Sequence, residues 1–269
     1  MALRLTERPS ITGSSDEASF GPWLAEMLAA DGRFGPSAEV WTFPVAEGDP
    51  RLCVALLVRR SDAATVLLTG HHDTVTTSDY GDLQEVALRP DELLAQLRAR
   101  LEEAAAGTAE GRAREDFASG RFVPGRGLLD MKAGLAAGLS VVAAFSVDPQ
   151  AQGNLLFIAV PDEENASAGA RCAAGELGSI SRERGLEIRA AVNLDAIADD
   201  GDGAAGRVVA LGTVGKVLPT AFVVGAPVHS GFPLRGLNAA VLAGALAQRF
   251  EWAPELTDES ATEPGTPIS

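Results

Sequence analysis

The residues best equipped for chemistry fall in four short stretches. In LLTGHHDTV, residues 67–75, two of the chain's three histidines sit side by side and an aspartate follows at once. Side chains alternate faces along a strand, so His71 and Asp73 project together while His72 turns the other way, into packing. A metal-bound imidazole usually donates its second ring N–H to a carboxylate, which fixes the tautomer and makes the ligand more basic. Asp73 is the residue type for that task, at the spacing that suits it. Taken alone, the tripeptide also reads as a His-Asp turn satisfied by local hydrogen bonds.

The second stretch, FVPGRGLLDMKAGLAAGL, residues 122–139, brings Asp130 to the start of a helix of small residues. GRGLLD imitates the opening of a dinucleotide-binding loop. Asp130, however, takes the third glycine's place, where its charge repels phosphate, and no apolar strand precedes Gly125. A carboxylate entering a helix that Gly134, Ala136 and Ala137 allow to pack closely suits a cation better, although an N-capping aspartate needs none. In NLLFIAVPDEENASAGAR, residues 154–171, an apolar strand runs into Asp162, Glu163 and Glu164. Adjacent carboxylates repel unless protons or cations screen them; a solvated acidic turn before a helix at Ala168 is the plainer alternative. Finally, AAVNLDAIADD, residues 190–200, ends another apolar strand at Asp195.

Together His71, Asp130, Glu164 and Asp195 offer one imidazole and three carboxylates, a set suited to a pair of divalent ions. Zinc accepts both N and O ligands, and a carboxylate can bridge two metals about 3.5–4 Å apart. Such a pair lowers the pKa of a shared water from about 15.7 towards about 7. Glu163, not needed as a ligand, is then free to take that proton and deliver it to a leaving amine.

Ligands spread from position 71 to position 195 need a scaffold whose strand ends converge. Short β-rich runs (Leu52–Val58, Val66–Leu68, Leu155–Val160, Ala190–Leu194) alternate with helical patterns (Phe20–Ala30, Lys132–Phe145, Ala168–Leu177). That rhythm predicts an α/β fold with a mixed, mostly parallel sheet and helices on both faces. DELLAQLRARLEEAAA predicts a solvated amphipathic helix, and the polar, Gly-interrupted stretch Ala109–Asp116 a mobile loop. After Asp195, ADDGDGAAGR reads as a turn or linker, RVVALGTV as a strand and LNAAVLAGALAQRF as a helix, with a domain boundary near Gly212. A lone strand and helix cannot bury their own apolar faces and need more chain or a partner. Residues 254–269 form a polar, Pro-punctuated tail.

Composition narrows the function classes. With 269 residues and 46% hydrophobic content, the chain can build an ample core. Its formal net charge of −15 opposes attraction to phosphate backbones and anionic lipids, so neither nucleic acid nor membrane is an expected partner, whereas cations are. No apolar run reaches eighteen residues, and MALRLTERPSITGSSDE lacks a signal-peptide core, which points to a cytoplasmic protein. Cys53 and Cys172 match no disulfide framework or zinc knuckle and are expected as buried free thiols.

GHHDTV, GRGLLDMKAGLAAGL, VPDEENASAGAR and NLD, in that order, resemble the co-catalytic zinc exopeptidase and aminoacylase family that includes carboxypeptidase G-type enzymes and succinyl-diaminopimelate desuccinylases. SDYGDLQEVALRPDELLAQL, GNLLFIAVPDEE and LGTVGKVLPTAFVVGAPVHSGFPLRGLNA look like its arginine-utilisation branch, and the resemblance covers essentially the whole chain.

The resemblance implies that His71 and Asp195 hold one zinc, Glu164 the other, and that Asp130 bridges them, with Co2+ or Mn2+ as possible replacements. It further implies that Asp73 orients His71 and that Glu163 is the general base. Residues 1–211 would be an incomplete catalytic domain, and 212–253 the beginning of an inserted α+β lid that forms a homodimer when complete. His229 matches a lid histidine that reaches the substrate in the partner's site, where an imidazole can stabilise an oxyanion. In that family the last zinc ligand is a histidine far downstream, and this sequence has none after His229. The chain therefore reads as the N-terminal portion of a longer metal-dependent hydrolase acting on a small acylated amino acid or peptide. Two other readings stand beside it: a remnant that folds or associates without turnover, and a dinucleotide-binding oxidoreductase resting on GRGLLD alone.

Overall fold

The strongest apolar runs become strands buried on both faces. In the computed structural model, which describes residues 1–61, 63–196, 220–250 and 253, the chain divides into two units, Met1–Ala198 and Asp199–Ser269. The first unit is built on five strands: β1 (Ala38–Pro44), β2 (Leu52–Arg59), β3 (Ala64–His71), β4 (Asn154–Val160) and β5 (Glu187–Asn193). They lie in the order β1-β2-β4-β3-β5. β4 pairs parallel with β3, and β3 parallel with β5, while β2 runs antiparallel to both β1 and β4. The sheet is thus mixed, with two of its four pairings parallel rather than most of them. The antiparallel half arises because AEVWTFP, β1, forms a hairpin with β2; its alternating half-buried and exposed residues are those of an edge strand.

Strand alternation distributes the core. Val54, Leu56 and Val58 of β2, with Leu155, Phe157 and Ala159 of β4, face Leu5 of α1 (Ala2–Glu7), Phe20 and Leu24 of α2 (Ser15–Ala29), and Leu135 and Leu139 of α5 (Ala133–Val147). Their neighbours Cys53, Ala55, Leu57, Leu156, Ile158 and Val160 face the other way, against Ala173 and Ile180 of α6 (Ala168–Arg184). Helices therefore cover both faces. The stretch Leu128–Val147 has the length and mean hydropathy, 1.6, of a membrane-crossing helix, but here its apolar side lies on the sheet.

Of DELLAQLRARLEEAAA only the first ten residues are helical, in α3 (Pro90–Arg100); the LEEAAA that follows is not helix. The predicted loop at Ala109–Asp116 is instead α4 (Ala109–Ala118), started by Thr108, whose hydroxyl accepts the Gly111 amide at 3.0 Å. Cys53 is a buried free thiol pushed up to about 12 by burial, whereas the free thiol of Cys172 is only half-buried.

Within the second unit, Ala226 bridges Leu237, and α7 (Ala239–Phe250) starts at Asn238, whose side-chain oxygen accepts the Ala240 amide at 3.0 Å. α7 buries none of its side chains. The expected boundary at Gly212, the strand RVVALGTV and the tail 254–269 lie outside the described residues.

Candidate metal centre

Because β4, β3 and β5 run parallel, their C-terminal ends share one rim, the usual place for a ligand site in such sheets. His71 closes β3, the acidic turn 162–164 follows β4, and Asp195 follows β5, with Leu194 N–H still donating to Thr69 O at 2.8 Å. Asp130 arrives from the opposite direction, in the turn leading into α5. One atom from each of His71, Asp130 and Asp195 lies within 4.8 Å of the other two. That is close to the span a single ion requires at ligand distances of about 2.0–2.2 Å. His71 Nε2 stands 2.9 Å from Asp130 Oδ1, 3.8 Å from Glu163 Oε2 and 3.9 Å from Asp195 Oδ2.

Close packing at glycines makes this convergence possible. A Cβ on Gly134 would come within 2.1 Å of Leu194 O, and one on Gly127, at φ +72°, within 2.3 Å of Thr74 Cγ2. Gly134 thereby lets α5 approach the chain next to Asp195, as the small-residue pattern predicts. Ala136 is buried in the same way, but Ala137 faces outward. Met131 fills the space over Gly70, and its sulfur accepts the His71 amide at 3.0 Å.

The paired histidines part as strand alternation predicts. His71 Nδ1 lies 3.0 Å from Asp73 O and 3.5 Å from Asp73 Oδ1, while Nε2 faces the rim and Asp130. Burial opposes charge on His71, yet the Asp73 carboxylate, with Asp195 and Glu163 behind it, raises the imidazole to about 9. His72 points into the core, stacked on Phe20 at 4.9 Å between ring centroids, and burial lowers it to about 4. Asp73 is fully buried. Burial disfavours its charge, but His71, the amides of Glu163 and Glu164 (3.1 and 3.2 Å) and the Thr12 hydroxyl (2.9 Å) hold it at about 2.

Glu163 opens to solvent beside His71. Glu164 is half-buried and stands outside the trio; burial, then the Asp130 charge, raises its carboxyl. Asp162 plays a different part from its neighbours: its carboxylate pairs with Arg51 Nη1 at 2.6 Å. His229 belongs to the second unit, where it is exposed and its Nδ1 accepts the Gly231 amide at 3.0 Å.

Several supporting residues carry no signal in their own segments. Thr12 reaches Asp73 because Thr12 N–H and Thr74 N–H tie residues 10–12 to the His-His-Asp turn. Lys132 is fully buried, donates to Arg8 O at 2.8 Å and lies 4.7 Å from the Phe20 ring; burial lowers its ammonium to about 7. Two residues after an acid in a helix-entry motif, a lysine ordinarily reads as a solvated side chain.

The donor set fits a divalent cation. One imidazole nitrogen and two carboxylates converge, and a carboxylate backs the imidazole. The raised His71 value has the same origin, since the rim carries more negative charge than its own side chains neutralise.

Residues 67–212 match the family described as Peptidase family M20/M25/M40. The chain belongs to peptidase family M20/M25/M40. The matched M20 segment contains His71, Asp73, Asp130, Glu163, Glu164 and Asp195, and stops short of His229. Protein RocB of Bacillus subtilis (strain 168) is 33% identical over 256 residues, covering 93% of this chain and 44% of RocB. The uncharacterized protein YqjN of the same organism is 31% identical over 247 residues, covering 92% of this chain and 44% of YqjN. The chain thus spans less than half the length of these relatives. A crystal structure of a tripeptidase from Staphylococcus aureus superposes with a TM-score of 0.52 at 19% identity, over 93% of this chain and 54% of that one, a likeness of fold.

Proposed function

We propose that this chain is the metal-binding portion of an M20-type hydrolase that cleaves an amide bond of a small acylated amino acid or peptide. Stretches resembling the arginine-utilisation branch favour an arginine-related amide. The observation that carries the proposal is the meeting of His71, Asp130 and Asp195 at one sheet rim, backed by buried Asp73. His71 and Asp195 would hold one divalent ion, zinc by its taste for mixed N and O ligands; Asp130 would bridge to a second ion at Glu164. Such an ion supplies Lewis acidity that polarises a carbonyl and acidifies water.

The remaining work belongs to side chains. With an ion bound, Asp73 would hold the His71 proton on Nδ1 and leave Nε2 as the donor atom. Glu163, exposed beside His71, takes a proton from water on a carboxylate oxygen and returns it to the leaving amine. In a homodimer, His229 is proposed to serve the partner's site, donating a hydrogen bond to the carbonyl oxygen as it gains charge.

The test is turnover of a panel of N-acyl amino acids by the purified chain with zinc or cobalt. Glu163→Gln is expected to lower kcat by at least about 100-fold while leaving metal content unchanged. A second reading, a folded chain that binds metal without turnover, is favoured by Glu164 standing outside the trio of His71, Asp130 and Asp195. Glu163-dependent hydrolysis excludes it, whereas metal uptake with no hydrolysis of any panel member supports it.

A further inference from the structure

The acidic turn after β4 is an unfavourable piece of backbone. Asp162 sits at φ +66° and Ser167 at φ +52°, left-handed conformations that side chains beyond glycine adopt only with support. Asp162 supplies that support itself. Its buried Oδ2 accepts the Ala168 amide at 3.1 Å, and its carbonyl accepts the amides of Ala166 and Ser167 at 3.2 and 2.6 Å. A carboxylate so placed needs a countercharge, and the sheet topology supplies one. β2 runs antiparallel to β4 with Val54 opposite Ala159, so Arg51, just before β2, and Asp162, just after β4, lie at the same end of the pair, where Arg51 reaches Asp162.

Arg51 is prepared for that meeting. Its Nε and Nη2 bind Asp49 at 3.0 and 2.7 Å, and Asp49 also accepts the Arg51 amide at 2.9 Å. This leaves Nη1 aimed at Asp162, 2.6 Å away. Behind it, 3.9 Å from the same nitrogen, lies Glu17 Oε1, a fully buried oxygen with no hydrogen-bond partner among the described residues. Only a guanidinium has the donors, and the planar fork, to serve Asp49 and Asp162 together.

We propose that Arg51 is a positioning residue: by latching Asp162 across the β2–β4 pair, it fixes the turn that presents Glu163 and Glu164 to the metal centre. The inference deepens the proposed function and rests on it. Asp73 grips the Glu163 and Glu164 amides from beneath, and Arg51 holds the start of the same turn from the side. Without Arg51, the Asp162 carboxylate has reason to leave its buried position. The turn would then relax towards ordinary backbone angles, carrying Glu164 away from Asp130.

The test combines hydrogen–deuterium exchange with calorimetric titration of Co2+ into the metal-free chain. Arg51→Met is expected to speed exchange at residues 163–168 by at least about 10-fold, with β2 and β4 still protected, and to weaken Co2+ binding by about 10-fold, the usual scale for losing an outer-shell partner. Asp162→Asn, which keeps the shape but removes the charge pair, should move both readouts the same way and serves if Arg51→Met fails to fold. Arg51→Lys should fall between, since one ammonium cannot serve both carboxylates. Arg184→Met makes the same charge change at a surface pair with Glu39, 2.9 Å away, and should alter neither readout. Wild-type Co2+ affinity or unchanged exchange in both Arg51→Met and Asp162→Asn would overturn the inference. Failure of the unsubstituted chain to take up Co2+ would instead remove the metal reading beneath it, before any variant is compared.

Discussion

At the end of β3 the chain faces two regions that treat the same side chain in opposite ways. On the rim side, His71 is buried among carboxylates and its imidazole rises to about 9. On the core side, His72 is buried against Phe20 near the Lys132 ammonium and falls to about 4. Burial alone pushes both downward. Placement of charge makes the difference, with Asp73, Asp195 and Glu163 gathered on one side of the strand. A site that accumulates unneutralised carboxylate around one imidazole is prepared for a cation; a pocket that keeps its imidazole neutral is prepared for packing.

The sharpest way to break this comparison is to exchange the fates of the two histidines. His71→Ala should lower Co2+ affinity by at least about 100-fold in calorimetry while the circular dichroism spectrum persists, since it removes the one nitrogen donor of the trio. His72→Ala should do the reverse, lowering the denaturation midpoint and leaving affinity within about 3-fold, because its loss is of packing. Next in size, Asp73→Asn should cost about 10–100-fold in Co2+ affinity, as it replaces the carboxylate that sets the His71 tautomer.

A third prediction concerns acid. The folded pKa of His72 is below its unfolded value of 6.5, so its contribution to stability is fully present above pH 6.5 and is lost as pH falls towards 4. Between pH 7 and pH 5 the loss is on the order of 2 kcal/mol. Urea midpoints of the metal-free chain should therefore fall more steeply over that interval than those of His72→Phe, which has nothing to protonate there. Equal slopes would remove the neutral-pocket account. A smaller effect belongs to Thr12→Val, which withdraws one hydroxyl from Asp73 and should cost about 1 kcal/mol in urea unfolding.

How far these regions were legible depends on the range of the forces involved. The separation of His71 from His72 follows from the two-residue period of a strand, so it could be read from GHHD alone. The buried strands were equally plain, because doubly covered strands are nearly continuous apolar runs. β1 escaped because its edge position leaves it half polar, and α4 because its signal is the single cap at Thr108 rather than an apolar stripe. The Arg51–Asp162 pair spans 111 positions and depends on the antiparallel register of β2 and β4, which no local pattern reveals. Lys132 is hidden for another reason: its burial depends on Arg8 O and Phe20, both far away in the chain.

The first and second units differ in the same sense. The first unit holds buried apolar clusters, whereas α7 buries no side chain, and Phe222 and Leu234 stand 91% and 98% exposed. Apolar side chains so placed contribute little to stability. Substitution of Leu234 by Ser is accordingly expected to leave the unfolding midpoint of the first unit unchanged.

The central claim is that His71, Asp130 and Asp195 together hold a divalent ion at the rim of the sheet. Anomalous diffraction from crystals of the chain grown with zinc tests it most directly. The account predicts an anomalous peak within bonding distance, about 2.0–2.2 Å, of His71 Nε2 and of carboxylate oxygens from both aspartates. A peak bound elsewhere, or none beside His71 at saturating zinc, would contradict it.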